Sequence, residues 1–186
     1  MLKKEQELLL DLCRKSIKTQ FSHEPLDVSQ EIKKKFGKKQ GVFVSLHIKQ
    51  ALRGCIGFIE PIYPLWDAIT RAARFAAFGD PRFLPLNELE FKQVCIEISV
   101  LSVPKQIKAK TPEEIAAKIK IGKHGLIVEK GRFNGLLLPQ VFTEYKVDSV
   151  GALEMTCEKA GLPIDAWQDP DAKIYSFEAD VFRQNP

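Results

Sequence analysis

Arg53-Gly54-Cys55-Ile56-Gly57 is where residue types and spacing in this chain could do chemistry. A thiol stands between two glycines and close to an arginine, in a stretch that otherwise reads as a strand. Glycine weakens a strand interior unless backbone or ligand must come close. Bare amides and a nearby cation favour the thiolate, the nucleophilic form of cysteine. A free thiol with a pKa near 8.5 is only about 3% ionised at neutral pH, and a fall of roughly 1.5 units would make it half ionised. Two readings stay open for Cys55: a functional thiol, or a small residue packed into a corner made by glycines.

Other residues could serve the same centre. In Asp80-Pro81-Arg82-Phe83-Leu84-Pro85-Leu86, Arg82 could join Arg53 in gripping an anion, two rigid forks suited to phosphate or carboxylate. The simpler alternative pairs Asp80 with Arg82 across a turn. His124, flanked by Gly122 and Gly125, is a candidate general base toward Cys55 or else a surface turn residue. Glu97 and Glu178 interrupt apolar strands and face either a cleft or the solvent side. The candidate catalytic set is therefore Cys55, His124 and Glu97, and the candidate ligand-binding set is Arg53, Gly54, Gly57, Asp80 and Arg82. His23 and His47 carry no distinguishing context.

The elements that must position these residues can be read from periodicity. Leu8, Leu9, Leu12, Cys13, Ser16 and Ile17 predict an amphipathic helix over about 4–19, with Cys13 in its core face. A polar stretch from Pro25 to Gly41, rich in lysine, reads as a flexible or partly helical surface loop. Val42–Leu46 and Leu52–Ile59 read as a hairpin, Leu65–Phe78 as a helix capped by Gly79, and Val94–Leu101 as a third strand. Thr111-Pro112-Glu113-Glu114 starts a short helix ending near Ile119. A second hairpin follows, with Gly131 and Asn134-Gly135 supplying its turn, then a helix over about 147–159 and a strand from Ile174 to Phe182.

The second half repeats the order of the first. Gly54, Asp67 and Glu97 recur as Gly135, Asp148 and Glu178 at one constant shift. The expected fold is therefore α+β: a single domain over 1–186, with two related hairpin–helix–strand units at about 41–101 and 125–183. These form a mostly antiparallel, curved sheet flanked by helices.

Composition narrows the function classes. An apolar fraction of 45% and a charged fraction of 28% are those of a globular protein. No apolar run approaches the roughly 20 residues of a membrane helix, and the N-terminal segment lacks the apolar core of a secretory signal. Cys13, Cys55, Cys95 and Cys157 form no C-x-x-C pair, which argues against zinc and a disulfide framework and for reduced thiols in the cytoplasm. No P-loop, dinucleotide-binding, H-E-x-x-H or nucleophile-elbow pattern is present, so no cofactor is expected. A net charge of +4 permits anionic partners, including a small anionic ligand. Nucleic acid ranks well below that, because the lysines between Lys33 and Lys39 have no interleaved aromatic residues apart from Phe36.

Six strings taken together resemble the AMMECR-domain family, the protein A component of the AmmeMemoRadiSam system. They are Leu52-Arg53-Gly54-Cys55-Ile56-Gly57, Ala76–Leu86, Ile96-Glu97-Ile98-Ser99-Val100-Leu101, Ile121–Val128, Gly135–Val141 and Lys159-Ala160-Gly161-Leu162-Pro163. They span nearly the whole chain in the family's order. Val147 departs from the tryptophan usual at its position, which looks like a change of packing. The resemblance implies an α+β fold of two repeats and a role beside Memo-like and radical SAM proteins, with no established activity. It also implies that Arg53, Gly54, Cys55 and Gly57 form the active-site or binding feature, supported by Asp80, Arg82 and His124. A thiol-centred enzyme or enzyme component and a non-catalytic binding module are the two functional readings, with RNA binding a weaker third.

Overall fold

Leu9, Leu10, Leu12, Cys13 and Ile17 form the buried stripe of α1 (Lys3–Ser22), as their helical spacing requires. The computed structural model describes residues 1–184. These divide into two units, one of Met1–Leu101 joined by the stretch from Asp180 onward, the other Ser102–Ala179.

In the first unit, α2 (Gln30–Lys35) is a short helix inside the polar stretch, started by the Ser29 hydroxyl accepting from the Ile32 N–H. A hairpin follows, β1 (Val42–Ile48) and β2 (Ala51–Phe58), with β3 (Cys95–Leu101) on the far side of β1, all antiparallel. Val42, Val44, Leu46, Ile96, Ile98 and Val100 point to one face and are buried. Against that face lie α1 and α3 (Leu65–Phe78), the latter through Leu65, Ile69, Ala72, Ala73 and Ala76. Alanines on α3 let it approach closely, and Gly79 caps its end. A second short helix, α4 (Glu88–Gln93), has a capping box between Asn87 and Glu90.

The second unit repeats the order hairpin, helix, strand. Its elements are β4 (Lys105–Gln106), α5 (Pro112–Ala117), β5 (His124–Lys130), β6 (Phe133–Leu137), α6 (Pro139–Glu144), α7 (Ser149–Lys159), a 3₁₀ turn at Ala166–Gln168 and β7 (Lys173–Arg183). The end of β7 belongs to the first unit. Strands β6, β5 and β7 pair antiparallel, and β4 adds to the other side of β7. Leu126, Val128, Phe142, Leu153 and Trp167 fill this unit's core. Val147, half-buried, packs on that core, in keeping with a packing role at this position. All pairings within the two sheets are antiparallel, with helices packed on them, so the expected α+β class holds.

Two local expectations change. The second hairpin turns at Gly131 and Arg132, because Lys130 pairs with Phe133, and Asn134-Gly135 lies inside β6. The first hairpin turns at Lys49 and Gln50 with φ of 49° and 69°, a left-handed turn made without glycine. Among the described residues no helix is long and apolar enough to cross a membrane.

Candidate functional site

Cys55 sits in the middle of β2, at the edge of the first sheet. An edge strand carries unpaired backbone groups that must be satisfied or blocked. Here the turn after α3 does it. The Asp80 carboxylate accepts the Cys55 N–H at 2.8 Å, and the Arg82 guanidinium donates to the Cys55 carbonyl at 3.2 Å. Asp80 also accepts from the Arg82 backbone N–H at 3.1 Å, from its Nε at 2.9 Å and from its Nη2 at 2.7 Å. The Asp80 side chain is 2% exposed and that of Arg82 52%. The Arg82 fork, partly opposed by burial, holds the Asp80 carboxyl well below the usual carboxylate range. Asp80 and Arg82 thus form a clip over one edge residue, and that residue is the cysteine.

Because its N–H and C=O point outward to the clip, Cys55 faces Ser45 of β1 as a non-hydrogen-bonded pair, the kind with the closer side chains. The Ser45 hydroxyl donates to the Cys55 sulfur at 3.1 Å. Ser45 in turn pairs in register with Glu97 of β3. Cys55, Ser45 and Glu97 therefore form one row across three strands, on the sheet face opposite α1 and α3. Burial pushes the Cys55 thiol up; the Ser45 hydroxyl and Arg82 oppose this, while Asp80 and Glu97 add to the rise. The expected pull of an arginine toward thiolate is present but outweighed, and the resting group is a thiol.

Packing accounts for both glycines. A Cβ at Gly54 would lie 2.1 Å from the Ala76 carbonyl of α3. One at Gly57 would meet the Phe43 ring at 2.5 Å, a cross-strand aromatic lying over a glycine.

Arg53 is engaged as well. Its guanidinium meets Glu90 of α4 through two bonds, each 2.9 Å. The Phe83 ring lies 5.8 Å from the Arg53 guanidinium and 5.4 Å from that of Arg82. The two arginines converge on Phe83, and each already has a carboxylate. An incoming anion would compete with Asp80 or Glu90.

His124 belongs to the second unit, at the start of β5 opposite Glu178. Its Nδ1 accepts the Lys120 N–H at 3.2 Å, and burial lowers its pKa, opposed by Glu178. Glu178 is exposed and pairs with Lys123 at 3.1 Å. The groups that act on Cys55 all come from the first unit.

The AMMECR1 family model matches residues 10–182. The chain belongs to the AMMECR1 family. A protein of Aquifex aeolicus is 44% identical, covering 95% of this chain and 91% of its own length. One of Nanoarchaeum equitans is 41% identical over 95% of this chain and 99% of its own. The crystal structure of an uncharacterized protein from Pyrococcus horikoshii is similar with a TM-score of 0.93 and 41% identity, over 100% of this chain and 94% of that one.

In this AMMECR1-family protein, Ser45, Phe83 and Glu90 join the site without a mark of that role in the sequence. Ser45 alternates with Val44 and Leu46 and so had to face away from the core, but only strand register places it on the thiol. Glu90 was legible as the end of an Asn-x-x-Glu capping box, though not as the partner of Arg53.

Proposed function

We propose that this protein is an enzyme or enzyme component in which the Cys55 thiol attacks an electrophilic carbon of its substrate. The row Cys55–Ser45–Glu97 carries the reading. The thiol is neutral at rest, so a base must take its proton as the S–C bond forms, and Glu97 is the half-buried carboxylate on that row. Ser45 stabilises the developing charge on sulfur. Asp80 and Arg82 fix the backbone of Cys55, and Glu90 holds Arg53 over the Phe83 ring. In the acyl case the sulfur bonds to the carbonyl carbon, the leaving group departs with its electron pair, and the thiol proton goes to Glu97. We place the chain in the cytoplasm, where its four unpaired cysteines stay reduced. The resemblance to the AmmeMemoRadiSam system makes a Memo-like or radical SAM protein the expected source or user of the substrate.

Single-turnover acylation by p-nitrophenyl acetate, read by nitrophenolate release and by mass at each cysteine, tests this. The wild-type protein should be acetylated at Cys55, and Glu97→Gln should slow that by about 10²-fold or more at pH 7. The sign decides between roles. Removing the Glu97 charge by itself lowers the thiol pKa and would speed the reaction, so a faster Glu97→Gln protein overturns the proposal.

One observation favours a second reading, a non-catalytic binding module. The braced loop after α3 presents Leu84 at 83% exposure, and α4 presents Leu89 at 72%. On that reading a purified Memo-like partner is retained by Cys55→Ser and lost by Leu84→Ser with Leu89→Ser. Loss with Cys55→Ser while the fold is intact would rule it out.

A further inference from the structure

The chain's net charge of +4 is smaller than the charge of one short segment. Between Lys33 and Lys39 stand five lysines and no acid. The fold brings aromatic residues to this segment from beyond the first hairpin. Trp66 N–H donates to the Phe36 carbonyl at 3.3 Å, Leu65 N–H to the Lys38 carbonyl at 2.9 Å, and Lys39 bridges to Pro64. The 62–66 stretch therefore runs beside the 36–39 stretch. The Lys33 ammonium lies 5.6 Å from the centre of the Trp66 ring, and the Arg71 guanidinium lies 4.5 Å from that of Tyr63. Both rings are half-buried, and Ile62 next to them is 52% exposed.

Charge pairing leaves part of this surface uncommitted. Lys35 meets Glu5 and Arg71 meets Asp67. Lys34, Lys38 and Lys39 are exposed, and among the described residues none has a carboxylate partner. Glu31, Glu60 and Asp67 are the nearby acids in sequence, and Asp67 is held by Arg71. Cations that track phosphates, beside aromatic rings and a stacked guanidinium that receive bases, are the two parts of a surface for single strands. Tyr63 stands just before α3 and Trp66 in its first turn; both rings pack on the core on one side and keep a partly exposed surface for a splayed base.

We propose that the surface of Lys34, Lys38, Lys39, Tyr63, Trp66 and Arg71 binds single-stranded nucleic acid. The three unpaired lysines, joined by Lys33 beside Trp66, give three to four phosphate contacts. At a slope of about −0.7 per phosphate, raising salt from 50 to 200 mM should weaken binding roughly 20- to 50-fold.

The test is anisotropy of a fluorescent twelve-residue oligouridine with the full chain, beside the tryptophan emission of the same samples. Trp167 is buried, 5% exposed in the other unit's core, so quenching reports Trp66. The expected results are binding at 50 mM salt with the stated salt slope, quenched emission, and loss of at least tenfold in Lys38→Glu with Lys39→Glu. Cys55→Ser should bind as wild type, which separates this surface from the thiol reading. Absent binding at 50 mM salt, or unchanged affinity in the lysine variant, overturns the proposal. Equal binding of heparin or duplex with no quenching also overturns it, because the surface would then be a general polyanion patch.

Discussion

Asp80→Asn isolates the clip over Cys55. The asparagine keeps the shape and one acceptor oxygen, but its amide now faces a donor, either the Cys55 N–H or the Arg82 fork. The Cys55 bond is made to a carboxylate 2% exposed, and a hydrogen bond to a charged group contributes about 1.5–3 kcal/mol. Arg82 is 52% exposed, so its part is screened and adds about 1 kcal/mol or less. The sum predicts a loss of about 2–4 kcal/mol at pH 7, or about 5–12 °C in Tm for a chain of this size. The pH dependence has a definite sign. The Asp80 pKa is lower in the folded than in the unfolded chain, so its stabilisation is complete above the unfolded value near 4 and drains away as pH falls below it. The gap between wild type and Asp80→Asn should therefore narrow by about 1.4 kcal/mol per unit below pH 4. Urea unfolding at pH 7 and pH 3 measures both. A gap under about 1 kcal/mol at pH 7, or one unchanged at pH 3, would show that the Asp80 carboxylate does not hold Cys55 in place.

Other expectations follow from the same geometry. Gly54→Ala must push its Cβ away from the Ala76 carbonyl and should cost about 3 kcal/mol or more. Gly131→Ala, in open space at φ +58°, should cost only about 1–2 kcal/mol; thermal denaturation of the pair compares steric overlap with backbone strain. Glu90→Gln should cost about 1–2 kcal/mol and speed amide exchange in the Phe83 loop, since Arg53 loses its carboxylate; unchanged exchange would show that Glu90 does not brace the loop. In alkylation of the native protein at pH 8, Cys55 should react before Cys13 and Cys157. Those two are fully buried with thiols that burial pushes up, and they should react only on unfolding.

The apolar patterns in this chain determined its elements. The stripe of α1, the alternation in β1 and β3, and the start of α3 are short-range facts, so periods of 3.6 and 2 reveal them. Of the six-residue helices, α5 was marked by its Thr-Pro-Glu-Glu start, whereas α4 and α6 escaped because six residues hold too little periodicity, and α2 showed only as a partly helical lysine-rich stretch. The turns misled where local chemistry was overruled. Asn134-Gly135 has the best turn composition, yet Gly135 is needed in β6, where a Cβ would strike the Ala160 N–H at 2.5 Å. The family strings singled out Cys55 but could not say what touches it. Register supplies Ser45 and Glu97, and the docking of a turn far along the chain on the β2 edge supplies Asp80 and Arg82. Those pairings depend on where strands and loops meet in space, and a linear pattern holds no term for that. The same is true of the basic surface, where Trp66 and Tyr63 reach the lysines only because β1 and β2 fold the chain back on itself.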